Sequence, residues 1–436
     1  MTFVSILIAI LVFSLLVLFH EFGHYILAKA VGIGVIEFSL GMGPRILSFE
    51  RKGTRYSWKA IPFGGSCAMV GEDEEDESPN AFGSKPAWAR FLVVFAGPAF
   101  NIILAFLLSL VLVGAGGINT AAVHQVTRGS AAEKAGIVAW KDTVTAVNGK
   151  KIAMGRDLIL YTLSRPLDGT PVTVTLLRDG EERTVTIDTH VEGYRIGIAY
   201  MADGSAAALT GVTEDLPAAK SGLQAGDIIR AIDGTAIASG EQMANYFAEN
   251  PIDGSTLEIT AERNGETVVC HMTPEPYETE DLGFQAYYVY EEWDGNIGRL
   301  VSASLREVRY WLSYTAVTLR MLIGGKVGVR DLSGPVGIVS TIGSMVETGM
   351  ENGGFTEALL NVLTMMVLLS VNLGVMNLLP IPALDGGRLL FILFEMIFRR
   401  KVPPKAEGIV HLIGFVLLMV LMVAVLFSDV LKLFGR

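Results

Sequence analysis

The sequence predicts a polytopic α-helical membrane protein with four transmembrane helices and an inserted pair of α+β repeats, and three observations carry that prediction. Charged residues make up 18% of the chain and the hydrophobic class 51%, with a mean hydropathy of +0.45, where a soluble domain carries about 25% charge. Four stretches are long, apolar and free of Asp, Glu, Lys and Arg: Thr2–Phe19, Phe91–Val113, Ala358–Leu384 and Ile409–Phe427. Between the second and the third, from about Gly114 to Thr356, the composition is that of soluble sequence, and part of it occurs twice. The formal net charge of -11, with no basic stripe, argues against nucleic acid as a partner, because phosphate binding needs basic patches.

The first apolar stretch covers roughly 27 Å as a helix, close to the hydrocarbon thickness of a bilayer. It runs into His20-Glu21-Phe22-Gly23-His24. Ionisable groups in such a segment are costly and mark function. No basic region precedes the apolar run, and the two histidines stand where a cleavage site would need small residues, so the segment reads as a retained span rather than a signal peptide. An even number of spans places both termini on one side. The loop from Lys29 to Arg90 carries Arg45, Arg51, Lys52, Arg55, Lys59 and Lys85, and the loop before the last span carries Arg388, Arg399, Arg400, Lys401 and Lys405. The positive-inside rule makes both loops cytoplasmic. The segment from Gly114 to Thr356 then faces outward. The acidic run Glu72–Glu77 reads as a solvated hairpin tip.

Within the outer segment, Ser130-Ala-Ala-Glu-Lys-Ala-Gly-Ile137 matches Leu216-Pro-Ala-Ala-Lys-Ser-Gly-Leu223, and Val144-Thr-Ala-Val-Asn-Gly149 matches Ile229-Arg-Ala-Ile-Asp-Gly234. The copies are offset by about 85 residues, and each continues into a helix-like stretch and alternating strands with Asp-Gly or Asn-Gly turns. The pair resembles tandem PDZ domains of the circularly permuted bacterial form. Ser221-Gly-Leu-Gln-Ala-Gly-Asp227 fits the signature of that fold; Ile137-Val-Ala-Trp-Lys-Asp142 departs from it by one extra residue and by Trp140-Lys141 before the Asp. A PDZ groove takes an extended peptide by strand addition; the alternative is a passive spacer or size filter. The expected organisation is 1–116 for the first two spans and the cytoplasmic loop, 117–203 and 204–290 for the two PDZ domains, 291–356 for an amphipathic connector, and 357–436 for the last two spans. Within the connector, Arg306–Gly325 reads as a helix lying at the outer membrane surface, or else packed on a PDZ domain. Cys67 and Cys270 fall on opposite sides of the membrane and are expected to be free.

In a helix, positions i and i+4 share a face, so His20 and His24 present two imidazoles to one cation, with Glu21 one residue on as a proton acceptor. That is the zincin arrangement, in which Zn²⁺ lowers the pKa of water bound to it to about 7 and polarises a carbonyl. A catalytic zinc takes a third protein ligand. Nothing from Tyr25 to Gly71 supplies one in the zincin pattern. The candidate is Asp385, at the end of the third uncharged run, which runs in the same direction as the first and so delivers its ligand to a similar depth. Pro380 and Pro382 end the helix before it. His411 reads as a packed or helix-bonded side chain rather than a ligand; His124, His190 and His271 fall in the outer segment.

These residues, together with Gly41-Met-Gly-Pro44, Phe63-Gly-Gly65, Lys85-Pro-Ala-Trp-Ala-Arg90, Gly97-Pro-Ala-Phe-Asn101, Ser333-Gly-Pro-Val-Gly-Ile338 and Asn377-Leu-Leu-Pro-Ile-Pro-Ala-Leu-Asp-Gly386, resemble the site-2 proteases, intramembrane zinc metalloproteases, and among them the bacterial regulator-of-sigma-E type with tandem PDZ domains. The resemblance implies His20, His24 and Asp385 as zinc ligands, Glu21 as general base, and Asn372 and Asn377 as residues that hold substrate. It implies that Arg55–Gly71 forms a membrane-associated β-hairpin offering an edge strand to an extended substrate. It also implies single-span membrane proteins as substrates, cut in or near their transmembrane segment, and residence in the bacterial cytoplasmic membrane with the PDZ domains outside. Ser66-Cys67-Ala68 departs from the aromatic and basic residues expected after the two glycines. A catalytically silent PDZ scaffold is the other class of function, and the complete ligand set with Glu21 favours the enzyme over it.

Overall fold

The computed structural model describes residues 3–72, 76–328, 333–400 and 402–433. The chain divides into two units, Met1–Asn119 with Tyr290–Arg436, and Thr120–Val289. Among the described residues the first unit holds the four helices that are long and apolar enough to cross a membrane.

Helix α1, Phe3–Ala30, carries no charge before Glu21 and ends where Gly32 turns left-handed (φ 73°) and the Ile33 N–H donates to the Ala28 carbonyl at 2.8 Å, a glycine-based helix stop. Strands β1, Val35–Arg51, and β2, Thr54–Met69, follow. The expected hairpin is larger and is folded over on itself. Glu37 pairs with both Ala68 and Arg55, and Leu40 with both Gly65 and Trp58. The four strips therefore lie side by side in the order 65–69, 35–42, 54–61, 45–51. Gly41 and Gly43 (φ 84° and 86°) bend the first strand and Gly64 (φ 79°) the second. A Cβ on Gly41 would stand 2.4 Å from the Ile61 carbonyl oxygen, so the corner admits glycine alone. Inside the sheet Glu37 accepts from Arg45 Nε at 2.6 Å and Ser57 Oγ at 2.6 Å, and pairs with Lys59 Nζ at 3.3 Å. The Arg45 bond, with those of Ser57 and Lys59, holds its carboxyl down at about 2. Met42, Ile46, Leu47, Phe49, Trp58 and Ile61 are exposed.

Glu72 is no solvated tip: it accepts from the Met69 N–H at 3.3 Å and pairs with Arg388. Of the rest of the expected acidic tip, 73–75 lie outside the described residues, while Asp76 and Glu77 are exposed and Asp76 accepts from the Ser78 N–H at 2.7 Å. Helix α2, Ala87–Gly116, packs closely on α1; a Cβ on Gly23 would meet the Ala96 carbonyl oxygen at 2.4 Å.

In the second unit the repeat is visible strand for strand. The sheet of Lys150–Lys151, Thr143–Val147, Val172–Arg178 and Glu181–Ile187 recurs as Thr235–Ala236, Ile228–Ile232, Leu257–Arg263 and Glu266–Met272. Helices α3 (Ala131–Lys134) and α4 (Arg156–Ser164) recur as α5 (Pro217–Lys220) and α6 (Gly240–Glu249). Asp142 accepts from the Val138 N–H and pairs with Arg178 at 2.5 Å; Asp227 accepts from the Gln224 N–H and pairs with Arg263 at 2.6 Å. The extra residue of the first copy is absorbed in this turn, where Trp140 is left-handed (φ 61°) as Gly226 is in the second (φ 92°). The boundary expected at 203–204 does not divide the copies cleanly. Leu282, Phe284 and Ala286 are buried in the core of the first copy, and Phe284 pairs with Val126. The second core is made within Ile196–Met272. The second copy is thus inserted in the first, on a ribbon of His190–Arg195 paired with Glu275–Glu280.

Helix α7, Ile297–Ile323, is amphipathic, but it follows α2 instead of lying flat at its end. A Cβ on Gly114 would stand 3.9 Å from Leu300 Cδ1, Val308 shares a buried cluster with Ala105, and Thr315 donates to Asn372. Helix α8, Pro335–Asn377, breaks at Gly354 (φ 69°, ψ −155°). Asn361 Nδ2 donates to the Met345 carbonyl at 3.1 Å, and a Cβ on Gly349 would touch Ala358. Its first arm therefore folds back along its second. The Asp429 carboxylate, buried on α10 (Pro404–Leu433), accepts from the Gly334 and Gly337 N–H groups at the start of that arm. Helix α9, Asp385–Phe398, returns along α2, with Arg90 paired to Glu395 at 2.6 Å.

Candidate metal centre

His20 and His24 sit one turn apart on α1, both 8% exposed. Asp385 is the first residue of α9. It is reached through Leu378–Leu384, an irregular stretch that begins where α8 stops before the two prolines. Gly386 and Gly387 let this stretch fold tightly over the start of α9: a Cβ on either would stand 2.1 Å from the Leu379 and 2.5 Å from the Ile381 carbonyl oxygen.

Two elements, α1 and α9, whose ligand residues lie more than 360 positions apart in sequence, so bring three ligand groups to within 4.8 Å of one another. His20 Nε2 lies 3.1 Å and His24 Nε2 3.4 Å from Asp385 Oδ2, and the two Nε2 atoms are 3.3 Å apart. Ligand atoms on a tetrahedral zinc with bonds of about 2.0–2.1 Å are spaced by roughly 3.3 Å. Asp385 Oδ2 is buried without a hydrogen-bond partner, and two imidazoles with one carboxylate are a donor set zinc accepts. The residues present fit the ion.

Support comes from α2. His24 Nδ1 donates to the Val93 carbonyl at 2.8 Å, which leaves Nε2 bare for a metal. Asn101 Nδ2 lies 3.0 Å from His20 Nδ1; with the amide turned end for end, its oxygen, buried without a partner, would accept from Nδ1–H and leave Nε2 bare. Gly97 leaves room for both rings, since a Cβ there would stand 2.3 Å from His24 Nε2. Gly97 and Asn101 are four apart and share one face of α2, the signal in the sequence that both meet the histidines.

Glu21 is half-buried, and its Cγ lies 3.3 Å from where a Cβ on Gly65 would be. The strip 65–69 thus runs beside Glu21. Asn372 Oδ1 accepts from Thr315 of α7. Asn377 is the last residue of α8, half-buried. His411 Nδ1 accepts from the Ala383 N–H at 2.9 Å.

The model of peptidase family M50 matches residues 8–421. The chain belongs to peptidase family M50. Zinc metalloprotease RasP of Geobacillus kaustophilus is 30% identical over 467 residues, covering 99% of both chains. RasP of Shouchella clausii is 30% identical over 461 residues, covering 99% of this chain and all of its own. A Clostridium acetobutylicum relative is 30% identical over 434 residues, 99% of this chain and 98% of its own. This M50 protein is a zinc metalloprotease of the site-2 protease family, with the four apolar helices of a membrane protein.

Proposed function

We propose that this M50 protease hydrolyses peptide bonds within or near the transmembrane segment of single-span membrane proteins, in regulated intramembrane proteolysis, with His20, His24 and Asp385 holding its zinc and Glu21 as general base. The observation that carries the reading is the convergence of the three ligand groups beside Glu21, on helices long and apolar enough to span a bilayer. Zinc in that site supplies a Lewis acid that polarises the scissile carbonyl and acidifies water. His24, tied to Val93, and His20, tied to Asn101, keep their Nε2 atoms facing Asp385. Glu21 takes the proton of the attacking water and hands it to the leaving amine. A substrate helix has its amides bonded internally, so it must be drawn out as a strand first. The strip 65–69, an outer strip of the sheet beside Glu21, offers a backbone edge for that strand, and the exposed apolar face of the sheet suits contact with lipid. Asn377, at the end of α8, is the better placed of the two asparagines to meet substrate, since Asn372 is engaged by Thr315.

The basic loops support a reading in which the active site faces the cytoplasm and the second unit lies outside the bacterial cytoplasmic membrane. The paired copies in that unit act as PDZ domains that screen substrates by the size of their outer domains, or take an extended peptide. In reconstituted vesicles, Glu21→Gln is expected to retain one zinc per chain and lose cleavage of a single-span substrate. Turnover near wild type would remove the general-base role. Substrates with Gly, Pro or Asn near the cut replaced by Leu should be cleaved more slowly, and equal rates would refute unwinding.

A further inference from the structure

We propose that His411 of α10 is a positioning residue for the third metal ligand, acting through the main chain two residues before Asp385; the inference rests on the reading of Asp385 as a ligand. Ala383 has φ 77°, a left-handed conformation that residues with a Cβ adopt only where the surroundings hold them. Two contacts hold it, both from one face of α10. The Ala383 N–H donates to His411 Nδ1 at 2.9 Å. One turn on, Gly414 lies so close that a Cβ there would stand 2.4 Å from the Pro382 carbonyl oxygen. Pro380 and Pro382 have no N–H to give, so within Pro380–Ala383 the donors are those of Ile381, bonded back to Leu379, and of Ala383.

The chemistry of the bond fixes the ring. A backbone N–H only donates, so Nδ1 must be bare and the ring hydrogen sits on Nε2, which faces Glu407 Oε1 at 4.0 Å one turn earlier. His411 also lies against Phe391 of α9, with ring centroids 5.8 Å apart. Without the bond, Ala383 relaxes toward negative φ. The chain direction at Leu384 then changes, and Asp385, first residue of α9, swings off the two imidazoles. His411 is therefore a partner of the metal site that ligates nothing.

The test uses the full-length protein in detergent, with zinc affinity measured by chelator competition and exchange of the Ala383 amide followed in metal-free protein. His411→Ala should weaken zinc binding by roughly 10–100-fold, as loss of a supporting partner does, and speed the exchange. His411→Asn, whose Oδ1 can take the place of Nδ1, should restore both. Adding Ala383→Gly to His411→Ala should restore affinity in part, because glycine adopts the left-handed conformation without help. Unchanged affinity in His411→Ala, beside a loss in Asp385→Ala, overturns the positioning role and leaves the ligand reading standing. Failure of both rescues overturns it too, pointing to general packing loss. If Asp385→Ala binds zinc as the wild type does, the ligand reading falls and this inference with it.

Discussion

A Cβ added to Gly97 would stand 2.3 Å from His24 Nε2 and 2.9 Å from His20 Cε1, so α2 meets both imidazoles with bare backbone. Gly97→Ala must push at least one ring off its position. Expected is a protein that inserts and melts close to wild type but loses zinc and activity together. Full zinc content in this variant would show that the rings can shift without cost.

Gly65 has the corresponding relationship with Glu21, the proposed general base. A methyl there would press on the Ser39 carbonyl oxygen at 3.0 Å and on Glu21 Cγ at 3.3 Å. Zinc content should be unchanged in Gly65→Ala while kcat falls roughly ten- to a hundredfold, the scale of a catalytic group displaced by a fraction of an ångström to an ångström. A wild-type kcat would separate Glu21 from the sheet.

Removal of the second unit depends on where the chain is cut. Excising only Thr120–Thr273 would leave Leu282, Phe284 and Ala286 without the core they fill; the whole unit, Thr120–Val289, is the piece to replace by a flexible linker. That deletion is expected to keep zinc binding and cleavage of substrates with short outer stubs, and to permit cleavage of substrates with intact outer domains. Loss of short-stub cleavage in a zinc-loaded variant would rule out screening by size.

Glu37 makes the sheet acid-sensitive. Its folded carboxyl titrates at about 2 against an ordinary 4.5, through Arg45 first and then Ser57 and Lys59. A depressed carboxylate stabilises the fold above its ordinary pKa and loses that contribution as pH falls from about 4.5 toward 2. Thermal unfolding in detergent should drop across that window, and Glu37→Gln should melt lower at pH 7 with a shallower drop. An identical pH profile in the variant would assign the acid sensitivity elsewhere.

What was legible in the sequence was local or repeated. His20 and His24 are four apart on one helix, and a helical run fixes their common face. The strands of the two copies keep a constant offset. Asp385 was reachable because few acids end an uncharged run of that length. The folding-over of β1 and β2 was hidden, because it depends on corners at Gly41, Gly43 and Gly64 that bring strips together out of sequence order. The depth of α7 was hidden for another reason: an amphipathic pattern says that one face is covered, and α2 with α8 covers it as well as a membrane surface would. Asn101 and Ala383 act through single bonds to His20 and His411 that only the assembled helices create.

The nesting of one copy inside the other sets an order of events during synthesis. Phe284 leaves the ribosome only after the whole of the inserted copy, so the first core stays unfinished while the second is already complete in sequence. Domains usually fold from the N-terminus as they emerge; here the inserted copy is free to fold first, and in doing so it draws residues 195 and 275, paired in the ribbon, into contact. That shortens the effective loop the first copy must close to recruit Phe284. A destabilising change in the second copy, such as Met243→Ala in its buried core, should therefore delay maturation of the first copy as well, leaving Val123, Leu158 and Val174 open to proteases while the chain matures.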